Sequence, residues 1–508
     1  MTTISRARPK VRAPESGERA VVIGAGFGGI AAALRLRARG YRVRLIDRMP
    51  MLGGRAQAYE RDGFRYDAGP TVITAPFLLE ELFALFGRRM EDYVDLRPVL
   101  PWYRFYFHDG ERFDYGGSLD DTVSAIERIS QPDGEGYRKL LAESKRIFDK
   151  GFTELGDQPF HRLRDILRVF PAMMRLKSYR SVSSFVRSHI RDERLRQAFS
   201  IAPLLVGGNP FDTTSIYALI HYLEREWGVH FPMGGTGALV AALGRLCEEV
   251  GIEIELGTTV DRLDVRNDTV RGVFLEDGRH EPADVVVSNA DAPYLYRHMV
   301  DPWKRPKWTN RRIDRMRYSM GLFVLYFGTT RRYEDVPHHS IVLGPRFKGL
   351  LHDIFHKRRL AEDFSLYLHR PTATDPSMAP EGCDSWYVLS PVPNLRGDVD
   401  WSVEGPRYRD RIVEHLDERL LPGLRETITA DFFVTPNDFR SRFLSHHGSG
   451  FSIQPLFRQS AYFRFHNKSE DVRNLFLVGA GTHPGAGLPG VLTSAKVLER
   501  VLPARSPA

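Results

Sequence analysis

Residues 19–48 read RAVVIGAGFGGIAAALRLRARGYRVRLIDR. Ala20–Ile23 is a short apolar run that stops at glycine, the pattern of a parallel strand buried on both faces. Gly24, Gly26 and Gly29 form GxGxxG. Residues 30–39 have helix-forming composition, and Gly40 stands where a helix ends. Val43–Ile46 predicts a second strand, ended by Asp47. The three glycines have separate duties: a tight turn, a close approach of backbone to a pyrophosphate, and close packing of helix on strand. The helix N-terminus then offers unpaired N–H groups and a positive dipole end to the phosphates, and Asp47 can accept from a ribose. Strand, glycines, helix, second strand and terminal acid all agree on a Rossmann-type dinucleotide fold. Gly24, Gly26, Phe27, Gly28, Gly29, Asp47 and Arg48 are the cofactor-binding candidates of this stretch.

The residues after Asp47 separate the possible dinucleotides. Gly53-Gly54-Arg55 comes where an NAD domain would start another helix. This continuation resembles flavoproteins of the glutathione-reductase and amine-oxidase type, which implies FAD, with Gly54 along the cofactor path and Arg55 by the phosphates.

Farther along, residues 477–496 read LVGAGTHPGAGLPGVLTSAK and write GAG after an apolar run a second time. Pro484 and Pro489 prevent an immediate strand-to-helix turn, so the helix is expected to resume near Gly490. No second acid-terminated strand comes after it. The expectation is one site closed from both sides, not a second nucleotide fold. Gly479, Ala480, Gly481, Gly490 and Val491 are assigned there, with a helix N-terminus near Gly490 and Val491 directed at the flavin ring. Partial positive charge at that point favours an electron-accepting flavin. Met233–Val265 reads as a helix followed by strands, with Val260 beside the adenine. Val285–Pro293 reads as a strand and turn, adding Asn289 and Ala290.

The fold class expected is therefore α/β: a discontinuous FAD-binding domain, an α+β substrate domain and a helical insertion. The first takes residues 19–75, 228–295 and 450–505, and the second 76–118 and 296–449. Residues 119–227 form a helical, basic, membrane-facing subdomain, and residues 1–18 a loose, polar tail. At 508 residues the chain is too long for one core.

Charge is unevenly spread. Residues 161–200 carry ten Lys or Arg against three Asp or Glu, interleaved with Leu, Ile, Val, Phe and Met. That composition suits a helix lying in an anionic interface. Residues 303–317 carry seven basic residues and one acid. No helix-turn-helix or zinc pattern accompanies either patch, which argues against nucleic acid. No apolar run spans a bilayer. Two cysteines, Cys247 and Cys383, exclude a disulfide framework and a CxxC site; a reducing cytoplasm fits, with peripheral membrane contact. No histidine pair has metal-helix spacing, so His338-His339 and His446-His447 read as loop or surface residues and no metal is expected.

Longer stretches carry a more specific resemblance. DAGPTVIT at Asp67, LLVGGNPFDTTSIYALIHYLEREWGVHFPMGGTGALV at Leu204, YLHRPTATDPSMAPEGCDSWYVLSPVP at Tyr367 and HGSGFSIQPLFRQSAYFRFHN at His447 join the late glycine turn. Together they closely resemble the FAD-dependent carotenoid desaturase family, the bacterial phytoene desaturases, from about residue 19 onward. The resemblance implies non-covalent FAD and phytoene, an apolar C40 polyene, converted to neurosporene or lycopene. It also implies oxygen or a quinone as electron acceptor, and Pro70 and Thr71 join the cofactor candidates. Members of the family can carry an Asp and an Arg in the helix before FDKGFTELG. This chain has Ala142 and Lys145 there, so no catalytic residue is assigned. An apolar tunnel would be lined by aromatics, in which residues 101–115, PWYRFYFHDGERFDY, are dense. Other flavoenzymes on the same scaffold (a carotenoid isomerase, a later-pathway carotenoid desaturase, a saturase, an amine oxidase) and a non-enzymatic prenyl-lipid binder stand as alternatives.

Overall fold

The computed structural model describes residues 17–503. The tail expected over residues 1–18 lies outside them but for Gly17 and Glu18.

The apolar runs read from the sequence meet in one parallel sheet of five strands. Their order is Leu475–Leu477, Val285–Ser288, Arg19–Ile23, Arg42–Asp47 and Glu253–Leu256. Alternate side chains enter two different cores, as strand geometry requires. Ala20, Val22, Val43, Leu45, Val285 and Val287 pack beneath the helices Phe27–Ala38, Gly235–Glu249 and Leu488–Val501. Val21, Ile23, Ile46, Val286, Leu475 and Leu477 face the opposite way, toward an antiparallel sheet of Val260–Arg266, Thr269–Leu275 and His280–Pro282. Burial on both faces explains why these strands are continuously apolar.

A second sheet has seven strands, ordered Ile428–Val434, Gly321–Thr329, Asp384–Val392, Leu366–His369, His339–Val342, Tyr103–Tyr106 and Arg112–Tyr115. All its pairings are antiparallel except His339–Val342 with Tyr103–Tyr106. Between residues 119 and 227 the regular structure is helical throughout.

The structure corrects two expectations. The late helix begins at Leu488, with Pro489 in its first turn, not near Gly490. A proline costs nothing there, because the first N–H groups of a helix have no partner to lose. The aromatic run after Pro101 forms the hairpin at the sheet edge, and Tyr103, Phe105, Phe107, Phe113 and Tyr115 are buried in a core rather than lining a tunnel.

Candidate active site

The two glycine turns touch. Gly24 has φ +94°, open to glycine at little cost, and its N–H donates to Ile46 O at 2.7 Å. A Cβ on Gly29 would lie 1.9 Å from Gly24 O, which is what lets the helix Phe27–Ala38 cross the strand closely. Gly28 has a duty that GxGxxG does not include: its Cβ would meet Asn289 Oδ1 at 2.6 Å and Gly479 Cα at 3.2 Å. Asn289 fills the gap between both GAG turns and donates through Nδ2 to Gly24 O at 3.3 Å.

The helix at Phe27 is not capped by any side chain; Gly26 has none to offer. Its first backbone bond is Ile30 N–H to Gly26 O. The N–H groups of Phe27, Gly28 and Gly29 therefore lack intrahelical partners, and Phe27 and Gly28 line a cavity of about 820 Å³. An uncapped N-terminus with no Cβ at Gly26 is a cradle for phosphate oxygens. Asp47 lines the same cavity. Its carboxylate already accepts from Ala25 N at 2.6 Å and Met49 N at 2.8 Å, so it braces the turn and keeps remaining lone pairs for a ribose hydroxyl. Burial raises its pKa, against those two backbone bonds and Arg48.

Gly54, Arg55, Pro70, Thr71, Val260, Ala290, Ala480, Gly481, Gly490 and Val491 reach this cavity too, with Arg48 and Asn289. Gly29 and Gly479 do not line it and stand behind its wall. Arg55 donates to Ser445 Oγ at 3.1 Å. Asp291, which no sequence motif marks, holds the loop opposite: it accepts from His446 N at 2.8 Å and Ser452 Oγ at 2.5 Å.

The late turn is held from behind by Arg464, a buried side chain also not anticipated. Its guanidinium donates to Thr482 O at 3.0 Å and Ala480 O at 2.6 Å, placing positive charge under the glycine loop. Val491 N–H is spent on Gly487 O, so the free donors of the helix are at Leu488 and Gly490, not Val491. A Cβ on Gly490 would lie 2.6 Å from Gly485 O. Gly490 thus shapes the turn from within.

Past these residues the cavity wall is apolar, with Ile341, Leu343, Leu366, Leu389, Phe160 and Phe439 among it. Glu224 interrupts it. Glu224 is 4% exposed and accepts from Tyr103 Oη at 2.9 Å. Burial pushes its pKa up to about 7, opposed by Tyr103 and Arg225. The signal exists in the sequence: Ile220, Leu223, Glu224 and Trp227 share one stripe of the helix Leu219–Trp227, and an acid on an apolar stripe is unusual. By contrast Ala142 and Lys145 do not line the cavity, and Lys145 pairs with Asp149 at the surface.

The mouth is built by the helix Leu163–Arg175. Leu163, Ile166, Leu167, Phe170 and Met173 line the cavity, yet Leu167 is 62% and Phe170 47% exposed. Arg168, Arg175 and Lys177 beside them are exposed and have no ion-pair partner among the described residues, whereas Arg187, Arg194 and Arg196 are paired to acids. The second basic cluster is largely committed to the fold: Arg305 is buried and donates to Trp308 O and Asn310, and Lys307 pairs with Glu470. No helix among the described residues is long and apolar enough to cross a membrane.

A profile of the flavin containing amine oxidoreductases matches residues 27–497. The chain belongs to that family. It is an FAD-dependent oxidoreductase, and the uncapped glycine cradle fits the cofactor. Among relatives of the family, a lycopene-forming phytoene desaturase of Pantoea ananas is 48% identical over 476 residues, covering 94% of this chain and 97% of that one. A neurosporene-forming phytoene desaturase of Rhodobacter capsulatus is 46% identical over 491 residues, covering 96% and 94%. Putrescine oxidase bound to putrescine has the same fold, with TM-score 0.62, 13% identity and coverage of 96% and 98%.

Proposed function

We propose that this flavin oxidoreductase is a phytoene desaturase that forms a more unsaturated carotenoid, neurosporene or lycopene, with non-covalently held FAD. The observation that carries the reading is a single cavity that begins at the nucleotide turn and continues between apolar walls to an exposed apolar helix. A hydrocarbon offers nothing to hydrogen-bond, and this wall is mostly apolar. Gly24, Gly26, Phe27, Gly28, Asp47, Arg48 and Val260 are assigned to the nucleotide, with Gly54, Arg55, Asn289 and Ala290 along the phosphates. Pro70, Thr71, Ala480, Gly481, Gly490 and Val491 are assigned to the ring end, with Gly479 behind them.

FAD, held by the residues above, would supply the hydride acceptor, with oxygen or a quinone as the final electron acceptor. The protein must handle the proton from the neighbouring carbon. Glu224 is the carboxyl in the apolar wall, oriented by Tyr103 and tuned close to neutral pH, and it accepts that proton as its ionised form. The C–H electron pair becomes the new double bond. Arg464 and the free N–H groups at Leu488 and Gly490 hold positive potential under the late turn. The apolar walls exclude water.

The substrate cannot cross water: each CH₂-sized group costs ~0.8 kcal/mol to expose, tens of kcal/mol for a C40 chain. The helix Leu163–Arg175 therefore docks on an anionic bilayer, apolar face inward and Arg168, Arg175 and Lys177 at the headgroups. Incubation of the FAD-replete protein with liposome-borne phytoene tests the function. New double bonds with reduction of oxygen or quinone are expected. Double-bond isomerisation without electron transfer, or no change in the polyene, would overturn it.

A further inference from the structure

Behind the cavity wall, the strands His339–Val342 and Leu366–His369 pair antiparallel and set His339 opposite His369; His338 directly precedes the first strand. The three side chains are 3%, 0% and 0% exposed for His338, His339 and His369. This corrects the expectation that His338 and His339 are loop or surface residues. One nitrogen of each ring is held. His338 Nδ1 meets Thr374 Oγ1 at 2.6 Å, His339 Nδ1 meets Tyr367 Oη at 2.8 Å, and His369 Nε2 faces Asp67 Oδ2 at 3.4 Å. The other three nitrogens, His338 Nε2, His339 Nε2 and His369 Nδ1, have no hydrogen-bond partner among the described residues. One ring nitrogen from each residue lies within 4.8 Å of those of the other two.

Three adjoining buried histidine rings, each with one unsatisfied nitrogen, are unusual, because buried polar atoms nearly always find partners. The tautomers explain what they suit. Each held nitrogen faces an oxygen that can accept from it: the Thr374 and Tyr367 hydroxyls can take either role, and Tyr367 Oη also lies 2.7 Å from Thr71 Oγ1. With the proton on the held nitrogen, each remaining nitrogen presents a lone pair. A hydrogen-bond acceptor on one nitrogen and a free lone pair on the other is how ligating histidines are oriented. We propose that His338, His339 and His369 form a three-histidine site for a divalent transition cation of the Zn²⁺ class. Three imidazoles suit zinc, copper, iron or nickel rather than magnesium or calcium. Nitrogens bound at ~2.1 Å to a tetrahedral ion are about 3.4 Å apart, against up to 4.8 Å in the present cluster. Asp67 offsets part of the charge, and nearby Arg370 is neutralised by Asp384 at 3.2 Å.

None of the three histidines lines the cavity, but Tyr367 and Thr71 do. The ion would fix the strand pair behind them.

The test uses FAD-replete protein, purified without a metal-affinity step from cells grown with Zn²⁺ or with Co²⁺. About one equivalent of metal per chain is expected, and the Co²⁺ form should show tetrahedral ligand-field bands to the red of the flavin. Thr374→Val, outside the cavity, should weaken Zn²⁺ affinity about tenfold, and His369→Gln should abolish it with FAD retained. Protein that holds FAD but neither retains metal nor shows the Co²⁺ bands overturns the proposal. So does metal binding unchanged in Thr374→Val, which decides the matter even where His369→Gln does not fold.

Discussion

Glu224 and the glycines give the sharpest expectations at the scale of single residues. Folded Glu224 holds its proton up to about pH 7, above the ordinary glutamic acid. Between about pH 4.5 and 7 the folded protein therefore binds one more proton here than the unfolded chain, and this group's contribution to stability falls as pH rises. Catalysis runs the other way, since only the carboxylate accepts a proton: kcat should rise with pH through about 7. Glu224→Gln should lower kcat by about 10²-fold or more and remove that limb of the pH profile, with FAD retained. A pH–rate profile unchanged in the variant would sink the assignment. The glycines separate by what a side chain would strike. Gly29→Ala drives a Cβ into a backbone oxygen and should prevent folding. A Cβ on Gly26 would meet the end of Asn289, at 3.1 Å, and Gly53 O at 3.7 Å, with no backbone clash. Gly26→Val should purify with normal circular dichroism and no flavin absorbance. Flavin at wild-type content in Gly26→Val would show that the phosphates lie elsewhere.

Elements differ in how much of them sequence reveals. The strand, turn and helix from Arg19 to Asp47 are legible because every reason for them is local: an apolar run, glycines at fixed offsets, an acid at the strand end. The start of the late helix reads two residues too far along, because a proline within a helix and a proline in its first turn look alike in sequence. Glu224 shows in sequence only as an acid on an apolar stripe; its pairing with Tyr103, and that of His339 with His369, are not legible. Those pairings depend on how separate strands and helices register, which periodicity does not encode. The basic segment is legible as composition, but only the structure divides it into paired arginines and the free charges of one helix. That division yields a prediction for the element. Replacing Arg168, Arg175 and Lys177 with Gln should reduce binding to anionic liposomes, each charge contributing ~1 kcal/mol near the surface at low salt. Activity on liposome-borne substrate should fall while FAD content stays constant. Equal liposome binding by variant and parent, at low and high salt, would move the docking surface elsewhere.

At the scale of the whole molecule, the five-stranded sheet joins distant parts of the chain. Val285–Ser288 lies between Arg19–Ile23 and Leu475–Leu477, and the helix Leu488–Val501 packs on Phe27–Ala38, where the buried Arg35 pairs with Glu499. Such long-range pairings are slow to form, because loop closure precedes any gain from contact. The arrangement has a consequence for synthesis. Gly24 leaves the ribosome long before Gly479 is made: at 5–20 residues per second the interval is roughly 20–90 s. Throughout that time the first strand lacks a neighbour two places away, Gly28 lacks Gly479, and the cradle has no far wall. Flavin capture is therefore expected only after residue 490 has emerged. Stalled nascent chains ending before residue 470 should stay colourless in excess FAD, while chains extended past residue 503 by a linker should take it up; early capture by the shorter chains would mean that the N-terminal turn binds flavin unaided.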